Sequence, residues 1–156
     1  MSVIGRGLTA LHVISAILVV AAAVVGYGVY WGLIGAGPHI LWSFLSGIPV
    51  TFTHSMTLFY LFGTAAEMRS EAAGSAGGAR GLEAMARGRK SAVLPLCLAL
   101  ASLAAAIILG GGSHTRAQPA WVHHAAGLAA VALNLLACRV SIRAIAINED
   151  AMRGIG

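Results

Sequence analysis

Four long apolar stretches constrain this 156-residue chain more than any other feature of its sequence. A helix needs about 20 apolar residues to cross the ~30 Å hydrocarbon layer of a bilayer, and each stretch approaches or exceeds that length. The stretches are residues 8–34, 42–66, 91–110 and 121–139. Only 10% of the residues are charged, whereas about a quarter are charged in soluble domains. The sequence therefore predicts an all-α integral membrane protein, a single four-helix bundle domain over residues 1–156.

The basic residues predict how this bundle is oriented. Of the ten Lys and Arg residues, only Arg116 lies in the connections between the first and second or the third and fourth stretches. Because basic residues concentrate on the cytoplasmic side, we expect an N-in/C-in topology. Residues 67–90 would form a cytoplasmic loop and residues 140–156 a cytoplasmic helical tail. The expected location is the cytoplasmic (inner) membrane of a bacterium.

The net charge of +5 has a membrane explanation as well. Cationic residues beside membrane spans meet anionic lipid head groups, so the lipid bilayer is the expected partner and nucleic acid is not. Small residues such as Gly28 and Gly32 allow close helix approach, which favours packing against other membrane subunits or a second copy of the chain. Cys97 and Cys138 lie toward the cytoplasmic ends of their spans, where a structural disulfide is not expected.

Six histidines supply the chemistry of the chain, and all five Asp and Glu residues lie in the predicted cytoplasmic segments. His12 is predicted to lie toward the inner side. The other five are assigned to the outer side: His39, His54, His114, His123 and His124. A site rich in imidazole and poor in carboxylate disfavours calcium and magnesium and favours haem b, copper or zinc.

The predicted site joins the second and fourth spans. His54 and His123, on facing helices, could be the two axial ligands of a haem b. Trp121 would fix the depth of the site at the interface, and Arg116 would be its outward cation. His39 is expected to be dispensable.

A copper or zinc centre is the alternative, with ligands drawn from His54, His114, His123 and His124. Because His123 and His124 point about 100° apart on a helix, one of the two is expected to be a ligand and the other a bystander.

Three functions remain open on sequence alone. The first is a haem- or metal-binding electron-transfer subunit of a membrane redox complex. The others are a non-catalytic structural or assembly subunit and a copper or zinc carrier. A quinone site using His54 or His123 with Arg116 and Trp121 is also compatible. No catalytic residue is predicted, because Ser55 and Ser113 have no acidic residue on their side of the membrane to orient a neighbouring histidine.

Overall fold

A computed structural model of the protein describes residues 1–71 and 76–154, without the side chains of residues 71, 76 and 114. The described residues form four helices: α1, Val3–Tyr30; α2, Ala36–Glu71; α3, Ala76–His114; and α4, Ala120–Arg153. Each helix packs against the next along the chain, and α4 also packs against α1 and α2. The predicted all-α class is confirmed, and the helices are arranged as a bundle.

Three of the described helical segments are long and apolar enough to cross a membrane: Val3–Tyr30, Gly77–Ser113 and Ala120–Arg153. The second helix, α2, is not one of them. Its hydropathy is lowered by a run of polar residues in its middle: Thr51, Thr53, His54, Ser55 and Thr57.

The bounds of the helices differ from the predicted stretches. The predicted loop over residues 67–90 is largely helical, because α2 continues to Glu71 and α3 already begins at Ala76. Residues 79–90 are rich in the strong helix formers Ala, Arg, Leu, Glu and Met. The Gly-rich middle of this predicted loop falls partly on residues 72–75, outside the described residues. α1 ends at Tyr30 instead of 34, and Gly32 follows with a φ of +71°, a conformation that glycine adopts without steric cost.

The second helix has its polar side inside the bundle and its apolar side outside. Thr53, His54 and Thr57 are at most 1% exposed, whereas Phe59 is 73% and Ile48 is 70% exposed. This is the reverse of a helix in a water-soluble protein, whose apolar stripe faces the core. The inner face of α2 therefore carries polar groups that must find partners on the other helices.

The interior is layered along α2. A cavity lies near the start of α2. An apolar cluster closes it on the side toward the middle of the bundle. This cluster consists of Val19, Val50 and Leu103, with Val131 packed against it. A layer of buried polar side chains comes next, and beyond it a second apolar cluster. That cluster contains Leu61, Ala92, Leu96, Ala99, Ala137 and Ala144. The polar layer is thus enclosed by apolar packing on both sides.

Glu149 joins three helices at the end of the bundle that holds the N-terminus. Its buried carboxylate accepts hydrogen bonds from the backbone N–H and hydroxyl of Ser2 and from the hydroxyl of Tyr60. One residue earlier, the side-chain amide of Asn148 donates to the hydroxyl of Thr64. Hydrogen bonds to a charged acceptor are stronger than neutral ones, so this cluster fixes α4 against α1 and α2.

Substituting Glu149 should therefore destabilise the bundle. We expect Glu149→Ala to cost on the order of 2 kcal/mol, because three donors lose a charged acceptor. Asp150→Ala is the matched control, since Asp150 is exposed and pairs with Arg153 at the surface, and it should cost less than ~0.5 kcal/mol. Thermal unfolding in detergent measures both changes. Equal melting temperatures for the two variants would contradict the anchoring role of Glu149.

Candidate functional site

A cavity of about 620 Å³ lies at the end of the bundle where α1 joins α2 and α3 joins α4. All four helices contribute to its wall, which is mainly apolar. The polar exceptions are Tyr27, Tyr30, His39, Ser43, Ser46, Ser113, His123 and His124. A volume of this size, with an apolar lining and a few convergent polar groups, is typical of sites for cofactors and small ligands.

His39 of α2 and His123 of α4 approach each other at this cavity. Their ring centres are 5.8 Å apart and the rings are nearly edge to face. Two imidazoles that share one metal ion, with metal–nitrogen bonds of about 2.0–2.1 Å, place their ring centres on the order of 6 Å apart. The spacing of the two rings is therefore compatible with both imidazoles binding the same metal ion.

Backbone carbonyls fix the orientation of both rings. The Nδ1–H of His123 donates to the carbonyl oxygen of Ala106 at 3.1 Å, since a carbonyl can only accept. The ring of His39 bonds to the backbone of Ala22, while its Nδ1 is buried without a partner among the described residues. Each ring thus keeps one nitrogen lone pair free. Histidines that bind metals are commonly held through their second ring nitrogen in this way.

Two glycines make room for these rings. A Cβ atom on Gly26 of α1 would lie 2.7 Å from Cε1 of His39, and one on Gly110 of α3 would lie 3.0 Å from Cε1 of His123. Any larger residue would force the imidazole to move. α3 also runs through Gly110, Gly111 and Gly112 to His114, whereas the third predicted stretch ends at residue 110. Gly26 and Gly110 thus serve close packing at the site.

His124 has different neighbours from His123. Its ring stacks on Tyr27, with 5.6 Å between centres, and meets Tyr30 edge to face at 4.5 Å. Arg116 and Trp121, which the sequence assigned to the site, are both exposed and are not among the residues that line the cavity. Arg116 adopts a φ of +59° in the turn between α3 and α4. The side chain of His114 lies outside the described part of the structure.

A second histidine pair occupies the buried polar layer. His12 of α1 and His54 of α2 are 0% and 1% exposed, and their ring centres are 5.4 Å apart. The Nε2 of His12 lies 2.9 Å from the hydroxyl of Thr57, and the Nε2 of His54 lies 3.1 Å from Oδ1 of Asn134. The hydroxyls of Ser15 and Thr53 bond to each other at 3.1 Å.

Asn134 connects this layer to the remaining helix. Its side-chain amide donates to the carbonyl of Ala130 at 2.8 Å and, at 3.5 Å, to that of Ala99 on α3. The polar layer therefore draws on all four helices. A polar group in a membrane bundle without such partners would cost several kcal/mol, so this network is central to how the helices fit together.

The structure thus groups the predicted ligands differently from the sequence analysis. His54 was predicted to lie with His123 on the outer side. It lies beside His12 in the buried polar layer. His39, expected to be dispensable, is the neighbour of His123. One sequence signal points to this arrangement: His39 and His54 are 15 residues apart, which is about four helical turns, so α2 can offer one histidine at each of two depths.

The described residues contain no group of three or more His, Cys, Asp or Glu side chains that could hold a metal ion. The imidazoles are available in pairs. Comparison with known proteins adds no assignment, because no protein-family model, curated protein or solved structure matches the chain.

Loss of the Asn134 side chain should destabilise the buried polar layer. Asn134→Leu leaves the ring N–H of His54 without its acceptor, which we expect to cost about 1–3 kcal/mol of unfolding free energy. Ser102→Ala is the control, because the Ser102 hydroxyl bonds to a carbonyl of its own helix. Its effect should remain below ~0.5 kcal/mol. Denaturation in detergent followed by circular dichroism compares the two, and equal stabilities would contradict the role given to Asn134.

Proposed function

We propose that all four helices cross the membrane, with both termini on the cytoplasmic side of a bacterial inner membrane. The apolar outer face of α2, which includes Ile48, Phe52 and Phe59, supports its placement in lipid despite its lower hydropathy. The polar inner face is covered by the other helices, as lipid requires. The distribution of basic residues supports the orientation.

Reporter fusions test this topology. Green fluorescent protein fused after residue 156 should fluoresce, because that side is cytoplasmic. Alkaline phosphatase fused after residue 34 or residue 117 should be active, because both turns would face outward. Active phosphatase at residue 156, or fluorescence at residues 34 and 117, would reverse the proposed orientation.

We propose further that the chain is a haem-binding electron-transfer subunit, with His39 and His123 as the axial ligands of a haem b. The observation that carries this proposal is the pair of imidazoles at a 620 Å³ apolar cavity, each with a free ring nitrogen. A porphyrin supplies four of the six iron ligands, so the protein needs to provide only two. The histidine pair and the cavity match these needs together.

Each residue of the site has a role in this proposal. The carbonyls of Ala22 and Ala106 orient the two rings, and Gly26 and Gly110 provide the space in which they lie. The apolar wall excludes water and favours the macrocycle. Two histidine ligands would leave a bound haem no free coordination position for oxygen, so the chemistry that the haem would supply is one-electron transfer.

The haem proposal predicts a specific pattern among histidine variants. Protein purified from cells with sufficient haem should show a Soret band that shifts on reduction with dithionite. His39→Ala and His123→Ala should each lower the haem content at least tenfold, because each removes an axial ligand. His124→Ala should retain most of it, since His124 contacts Tyr27 and Tyr30. A wild-type protein without a Soret band would refute the proposal, and a protein also free of copper and zinc would be assigned a structural role.

The glycines provide a test that leaves every ligand in place. Gly26→Ala should reduce haem content severalfold, because the added methyl group collides with the ring of His39. Gly7→Ala, in the same helix, is the matched control, since its Cβ would meet no atom within 4 Å. Pyridine haemochrome analysis of both variants measures the difference. Equal haem content would show that His39 is not held in the way proposed here.

A further inference from the structure

His12 and His54, the histidine pair in the buried polar layer, take no part in the proposed haem site. The hydroxyl of Thr57 already donates its hydrogen to the carbonyl of Thr53 at 2.8 Å. It must therefore accept the hydrogen bond from His12, which places a proton on Nε2 of that ring. Both neutral rings then carry their lone pair on Nδ1, because Oδ1 of Asn134 can only accept from Nε2 of His54.

Neither of these Nδ1 atoms has a hydrogen-bond partner in the described part of the chain, and both are fully buried. The other polar groups of the layer are occupied: Ser15 with Thr53, Thr57 with its own helix, and Asn134 with Ala130. Two buried lone pairs without a donor, on neighbouring rings, are an uncommon arrangement in a protein interior, where nearly all polar atoms are paired. They lack an electron-pair acceptor, which a metal ion would supply.

The neutral donors and the burial of this pair determine which metal ions could bind there. The ring centres, 5.4 Å apart, have a spacing compatible with two imidazoles on one metal. The hydrogen bonds and ring contacts described for this layer involve no charged residue. A site made of neutral nitrogen donors does not compensate a full divalent charge in an apolar interior, where burying charge is costly. Imidazole suits copper, and a Cu(I) ion brings one positive charge where a divalent ion would bring two.

We propose that His12 and His54 form a second imidazole-ligated redox-metal centre, occupied by a Cu(I) ion. Thr57 and Asn134 are its positioning residues, since they fix the two ring orientations. α2 is then a shared ligand helix, with His39 for the outer centre and His54 for the inner one, about 22 Å apart along the helix axis. The site itself is independent of the proposed outer haem, and only an electron path between the two centres rests on that function.

Four single variants separate the two sites. Copper and iron are measured by elemental analysis and haem by pyridine haemochrome in wild-type protein, His12→Ala, His54→Ala, His39→Ala and His123→Ala. The inner variants should each lose one metal equivalent and retain the outer haem, whereas the outer variants should show the reverse. Loss of copper from the inner variants at unchanged haem content identifies the inner ion as copper, and a fall in haem content instead would overturn the copper assignment. If wild-type protein holds no more metal than the inner variants, the inner centre is refuted.

A second experiment covers variants that fail to fold. Asn134→Ala retains both ligands but removes the acceptor that orients His54, so we expect the affinity for the inner metal to fall about 10–100-fold. Cu(I) is titrated against a chromophoric competitor. Ser102→Ala should bind as wild-type does. Unchanged affinity in Asn134→Ala would overturn the positioning role, while loss of the outer haem alone would count against the proposed function and not against this site.

Discussion

The polar inner face of α2 is the constraint on which the rest of the structure depends. Threonine and histidine side chains in the middle of an apolar bundle must be hydrogen-bonded within it, because apolar surroundings offer no other partner. This requirement fixes the rotation of α2, which in turn fixes the register of α1 through His12 and Ser15 and that of α4 through Asn134. Apolar packing alone would specify these rotations less strictly, since lipid-facing and helix-facing surfaces are equally apolar.

Much of the fold can be predicted from the sequence, because the length and hydropathy of a helix are local properties. The positions of the histidines within each apolar stretch are local as well. The inward placement of Thr57 with His54 also follows from helical spacing and the cost of exposing polar groups to lipid. The residue at which a helix begins cannot be predicted from its local sequence alone. The sequence placed the start of the second helix at residue 42, and because α2 begins at Ala36, His39 lies within the helix and faces His123.

The pairing of histidines depends on relative helix registers, which no single stretch encodes. The sequence assigned His54 to the outer side together with His123. Its hydrogen bond to Asn134 and its contact with His12 instead place it level with the N-terminal half of α1. Glycines carry part of this information, since Gly26 and Gly110 lie where imidazoles from other helices approach. Their role is evident only once the helices are packed.

The apolar cluster of Val19, Val50 and Leu103 between the two histidine pairs has an electrical consequence. Such a layer contains no group that can rotate or ionise to compensate a nearby charge, and it excludes water. It therefore screens an electric field only weakly. A charge on one imidazole pair would therefore act, with little screening, on the pair at the other side of this apolar cluster.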